Sequence, residues 1–145
     1  MGKKIRGSIS ITKSNATDYE QKLSDVDVIE GRLEVGECVA ISLSHIRIIG
    51  DIIAHDNAII SLPDVKETGN VIAYPEAEIT LASATKTGHV RAYQGTKIIL
   101  PKANMTENVS AGENATIILS EAKRTGGVVL TRTRQFRFRR RKELA

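Results

Sequence analysis

Tryptophan is absent from this 145-residue chain, and phenylalanine and tyrosine supply only two and three residues. A core without aromatic bulk must be built from Ile, Val, Leu and Ala, which suits thin, regularly stacked layers better than a broad sandwich interior. The single cysteine, Cys38, excludes an intrachain disulfide. No apolar stretch approaches the roughly eighteen residues of a membrane-spanning helix. The opening Met1-Gly2-Lys3-Lys4-Ile5-Arg6 runs into Gly-Ser-Ile-Ser rather than an apolar signal core. A cytoplasmic location, at most peripheral to a membrane, is the expectation. The length leaves room for one domain of ordinary size.

Charge of one sign is scarce everywhere but at the C-terminus. The net charge is +4, yet Arg132, Arg134, Arg137, Arg139, Arg140, Arg141 and Lys142 fall within residues 131–142 with no acid among them. Removing these seven and Glu143 from the chain's 21 Lys/Arg and 17 Asp/Glu leaves 14 cations against 16 acids. The body is therefore mildly acidic, and the basic character belongs to the last segment.

What the chain has in abundance is periodicity. Ile41, Ile60, Ile79, Ile98 and Ile117 are nineteen apart, and Leu43, Leu62, Leu81, Leu100 and Leu119 follow each by two residues. The same period carries Gly50, Gly69 and Gly88, with Glu107 breaking the column before Gly126, and then Ile52, Val71, Val90, Val109 and Val128. Ala54, Ala73, Ala92, Ala111 and Leu130 complete the pattern. One period further back lie Gly31, Leu33 and Val35, so a partial first coil is expected from near Ser24.

Within each period the apolar positions alternate, as in strands with one face turned inward. Strands this short cannot cover their inner faces within one unit, but stacked units can. Residues nineteen apart then lie about 4.8 Å over one another as parallel-strand neighbours. This predicts an all-β, single-domain parallel β-solenoid (β-helix) of five to six 19-residue coils over residues 24–130, with the Ile, Leu and Val columns as its core ladder. Residues 1–23 read as a polar, flexible segment without a capping helix, and residues 131–145 as a basic tail. Pro63, Pro75 and Pro101 fall outside the alternating stretches, where a missing N–H removes no ladder bond. The glycine column marks a corner that needs either positive φ or close backbone approach.

The runs Gly50-x-Ile52-x-Ala54, Gly69-x-Val71-x-Ala73 and Gly88-x-Val90-x-Ala92, each followed after a turn by A-x-I-x-L or a variant, resemble the bactofilins, polymer-forming cytoskeletal solenoids. The resemblance covers about residues 28–130. It implies a right-handed coil, nucleotide-free assembly by stacking of solenoid ends into filaments, and tails that engage membrane or partners.

No catalytic, cofactor or metal site is expected. His45, His55 and His89 occupy three different columns, and nineteen-residue coils do not divide into the hexapeptide turns of solenoid enzymes. His55, Tyr74 and Tyr93 share a column and should stack outside the coils, as a structural ladder or a partner-binding stripe. Thr68, Thr87, Thr106 and Thr125 read as a hydroxyl ladder at a corner. Cys38 falls in a polar, turn-like column. Coil ends expose unpaired strand edges, so Leu33 and Val35 at one end and Leu119, Leu130, Phe136 and Phe138 at the other are the expected polymer contacts. The seven tail cations suit an anionic membrane surface or an acidic protein partner. Interleaved with Phe, they also suit nucleic acid, and a virion or secretion-apparatus component is a further alternative. The expected partner is the chain itself; no small-molecule substrate is expected.

Overall fold

A computed structural model describes residues 3–103, 106–119, 128–130 and 135–138. The chain begins with β1 (Lys3–Ile5), β2 (Ile9–Ile11) and a short helix, α1 (Ala16–Lys22), followed by the long β3 (Val26–Val35). It continues through β4 (Ala40–Ser42), β5 (Ile48–Ala54), β6 (Ile59–Ser61), β7 (Glu67–Thr68), β8 (Val71–Ala73), β9 (Glu78–Thr80), β10 (Val90–Ala92) and β11 (Lys97–Ile99). The last elements are β12 (Val109–Ala111), β13 (Thr116–Leu119), β14 (Val128–Leu130) and β15 (Gln135–Phe138). From β3 onward the strands alternate between two parallel sheets, except that β7 and β8 both join the same one. One runs β1-β3-β5-β8-β10-β12-β14, with β2 and β7 attached to β3 and β5; the other runs β15-β13-β11-β9-β6-β4. The molecule is a parallel β-solenoid of about six turns.

The register is the nineteen-residue period made physical. Ile60 pairs with Ile41 and Ile79, and Val90 with Val71 and Val109. A strand turns alternate side chains to opposite faces, so one column fills the interior and its neighbours face out. Ile41, Ile60, Ile79, Ile98 and Ile117, with Leu43, Leu62, Leu81 and Leu100, are all buried, as are Val71, Val90 and Val109. Leu119 and Val128 continue those columns by register, against Phe138 and Val109.

Two corner devices make each coil close. After the second strand of every coil comes a tight turn: Ala58 N–H donates to the His55 carbonyl and Ala77 N–H to that of Tyr74. Its third residue has positive φ wherever it is described: Cys38, Asn57, Glu76, Gly95 and Asn114 lie at 60–67°. That is the geometry of a type II turn, in which Pro75 occupies the position that favours proline.

The glycine column works differently. Among the described residues its glycines, Gly31, Gly50, Gly69 and Gly88, have no positive φ; a Cβ on Gly31 would lie 2.5 Å from the Gly7 carbonyl oxygen, and one on Gly88 2.9 Å from the Gly69 carbonyl carbon. Successive backbones touch there, and close approach is the reason for glycine. Beside this column, backbone N–H groups are satisfied by side chains of the coil below. Asn70 N–H donates to Asp51 Oδ1 and His89 N–H to Asn70 Oδ1, both at 2.9 Å, and Asn108 N–H donates to His89 Nδ1 at 3.2 Å.

Residues 3–22 differ from the expected flexible segment. β1 and β2 add a further layer below β3, pairing Ile9 with Leu33 and Ile11 with Val35, and Ile9 and Ile11 are buried. The offset is 24 rather than 19 because α1 lengthens this coil, which hides it from a search at constant period. The signal for α1 is Ala16, Tyr19 and Leu23, spaced along one helical face. Ala16 and Tyr19 pack on the core, and Leu23 is fully buried. Asn15 ties the helix start to β2, accepting from Thr12 N–H at 2.7 Å and donating to the Ser10 carbonyl at 3.2 Å.

Candidate functional site

The interior of the solenoid is filled with aliphatic side chains, so the surfaces left for function are its two ends and its outer faces. At the N-terminal end, β4 is the outermost strand of the six-stranded sheet, and α1 lies against it. The other sheet ends in two three-residue strands, β1 and β2. β1 carries Lys3 and Lys4, whose ammonium groups reach Asp25 and Glu30 at 3.3 and 3.0 Å. Short edge strands bearing lysine resist further pairing, because a strand added beside them would strip water from the charges.

This placement corrects the expectation for Leu33 and Val35. Both are completely buried inside β3, with β2 paired outside them, and neither can contact a neighbouring molecule. The same layer, with α1, covers an end that the sequence pattern left bare.

The C-terminal end is built of β14 and β15. β15 lies in exact nineteen-residue register with β13: Phe136 against Ile117 and Phe138 against Leu119. The two phenylalanines therefore continue the Ile and Leu core columns, and Leu130 pairs with Ala111 where the earlier coils carry alanine. Adding nineteen to 117 and 119 would have located β15 within the segment read as a tail. Among the described residues, no strand pairs with the outer edge of β14 or β15. Leu119 belongs to β13, one strand inside that edge. Of the seven tail cations, Arg137 stands on β15 in register with Ile118; Arg132, Arg134, Arg139, Arg140, Arg141 and Lys142 lie outside the described residues.

On the outside of the nine-stranded sheet, the His55, Tyr74 and Tyr93 rings form one stack, with centroids 5.3 and 5.0 Å apart and planes within 8°. Glu34 closes it at one end through a 2.5 Å contact with His55 Nε2, and Arg91 Nη1 donates to the Tyr93 hydroxyl at 3.3 Å. Stacked in this way, the rings present edges and polar tips rather than faces to solvent.

The remaining expected positions are also placed. Cys38 is exposed in the tight-turn column. Thr68 and Thr87 turn their hydroxyls to the following carbonyl rather than to the next coil, and Thr125 lies outside the described residues. Glu107, in the glycine column, takes His89 Nε2 at 3.0 Å, while His89 Nδ1 accepts from Asn108. Among the described residues no three His, Cys, Asp or Glu side chains are grouped to hold a metal, and no helix is long and apolar enough to cross a membrane. Compared with protein-family models, curated proteins and solved structures, the chain matches none.

Proposed function

We propose that this protein is a bactofilin-like cytoplasmic scaffold rather than an enzyme, one that self-associates through the ends of its solenoid and uses its basic C-terminal run to hold the assembly at an anionic surface. The observation that carries this reading is the C-terminal end. There the core columns continue into apolar residues, and the strands beside them have no partner on their outer side among the described residues. Unsatisfied backbone groups beside apolar side chains favour pairing with another chain.

The basic run supports the second half of the reading. Arg139–Lys142 follow β15 directly, and polybasic segments gain about 1 kcal/mol per cation near an anionic lipid surface. The test uses full-length protein in a concentration series, by light scattering and negative-stain electron microscopy. Discrete oligomers or filaments are expected; a sharp monomer at every concentration overturns self-association. Flotation with phosphatidylserine vesicles, with and without residues 139–145, tests the surface role. Binding that depends on the deleted residues supports it. Retention by RNA or DNA without retention by vesicles replaces it with nucleic-acid binding.

A further inference from the structure

On the side of the solenoid where the chain crosses from the six-stranded sheet to the nine-stranded one, Asp27, His45, Arg47, Asp64 and Lys66 line a recess of about 590 Å³. That volume falls within the roughly 300–1,000 Å³ of small-molecule sites. His45 and Arg47 lie between β4 and β5, Asp64 and Lys66 between β6 and β7, and Asp27 on β3. We propose that this recess binds a small phosphorylated sugar or polyol, with the phosphate on Arg47 and Lys66 and a hydroxyl on Asp27. Such a site is separate from the solenoid ends, so it stands whether or not they associate.

Backbone pairing brings the cations together. Arg47 N–H donates to the Asp27 carbonyl and Lys66 N–H to the Arg47 carbonyl, both at 2.7 Å, so the three residues stand in one column on successive coils. Like charges on neighbouring strands repel, and Asp27 and Asp64 are at hand to neutralise them. Yet among the described residues the side chains of Asp27, Arg47 and Lys66 make no hydrogen bond or ion pair. Opposite charges share one recess without closing on each other, which leaves both available to a molecule with an anion at one end and hydroxyls at the other. Arginine offers phosphate a planar fork of donors and lysine a point charge. A carboxylate only accepts, so Asp27 takes a hydroxyl and repels a bare phosphate.

The backbone at the recess is also exceptional. His45 has φ 77°, the one positive φ among the described residues outside the tight-turn column. Asp64, Ser83 and Lys102 hold the same place in later coils without it. Such a conformation is unfavourable for a residue with a side chain, and residues held in it concentrate at ligand sites. Here Asp64 Oδ2 holds it, accepting His45 N–H at 2.8 Å. One oxygen of Asp64 is thereby spent on the backbone, and the His45 imidazole lines the recess as a further donor.

The experiment is equilibrium dialysis of full-length protein against radiolabelled glucose 6-phosphate and, separately, inorganic phosphate, at physiological ionic strength to suppress diffuse attraction. One glucose 6-phosphate per chain, held more tightly than inorganic phosphate, is the expected result. Arg47→Gln and Lys66→Gln should each weaken it about tenfold or more, through loss of charge-assisted hydrogen bonds, while deletion of residues 139–145 leaves it unchanged. Asp27→Ala should weaken glucose 6-phosphate yet tighten inorganic phosphate, opposite responses that a diffuse basic patch does not give. Arg47 and Lys66 are exposed and Asp27 half-buried, and an unchanged far-UV spectrum checks that each variant folds. Displacement of the label by phosphatidic acid vesicles supports the site with a lipid headgroup as the source; displacement by free glucose 6-phosphate alone supports a soluble ligand. No binding of either probe, binding that is lost with residues 139–145 but kept in folded Arg47→Gln, or a response of the same sign for both probes in Asp27→Ala overturns the inference. None of these outcomes bears on self-association, which the concentration series reads separately.

Discussion

Thr96 stands in the small-residue column before the leading isoleucines, between Ala77 and Ala115, and is 1% exposed. Its Oγ1 is buried with no hydrogen-bond partner. A buried hydroxyl without a partner loses about 1–3 kcal/mol of hydration that nothing replaces. Valine has nearly the same shape, and the column accepts it, because Val39 is buried at the same position of an earlier coil. Thr96→Val is therefore expected to stabilise the protein by about 1–2 kcal/mol, combining recovery of the hydroxyl's desolvation with burial of one more methyl group. For a chain of this size that raises Tm by about 2–8 °C. Thr96→Ser supplies the opposite sign: it keeps the hydroxyl and loses the methyl, and should destabilise by about 1 kcal/mol. Thermal unfolding followed by far-UV circular dichroism, with a urea titration to confirm an unchanged slope, measures both. A lower Tm for Thr96→Val at unchanged slope would refute the reasoning, since it would mean that the hydroxyl is satisfied in solution.

Three further substitutions probe the corners and the cap. Gly69→Ala places a Cβ into the Gly50 carbonyl and the Asp51 carboxylate, so a loss above about 2 kcal/mol is expected in urea unfolding; a neutral result would show that successive coils do not touch at this column. Cys38→Gly relieves a non-glycine residue held at φ 60° and should gain about 0.5–1 kcal/mol, the left-handed penalty less the added entropy of glycine, read as a rise in Tm. Leu23→Ala empties a fully buried site beneath α1 and should lose about 2–5 kcal/mol, with faster amide exchange in α1 and β4 than in β11. Equal acceleration along the solenoid would show that α1 is not a local cover.

The sequence was most informative where the structure is most regular. Ile60 and Ile79 could be placed over one another from their numbers alone, because parallel stacking makes sequence period and spatial register the same quantity. The tight turn was visible as a polar column, though its positive φ was not, since Cys38 and Glu76 are not residues that announce it. The side-chain ladder through Asp51, Asn70 and His89 went unread because three different residue types share one role, accepting an N–H from the coil above.

By itself the sequence determined the solenoid, its period and the identity of its core columns, since alternation decides which side chains point inward and recurrence decides which ones meet. Tertiary structure alone decided the ends. An end has a neighbour on one side only, so no recurrence marks it: β2 pairs at an offset of 24, a short helix, α1, lies against β4, and β15 lies inside what reads as a charged tail. Repetition specifies the interior of a stack, whereas its boundary depends on contacts that occur once.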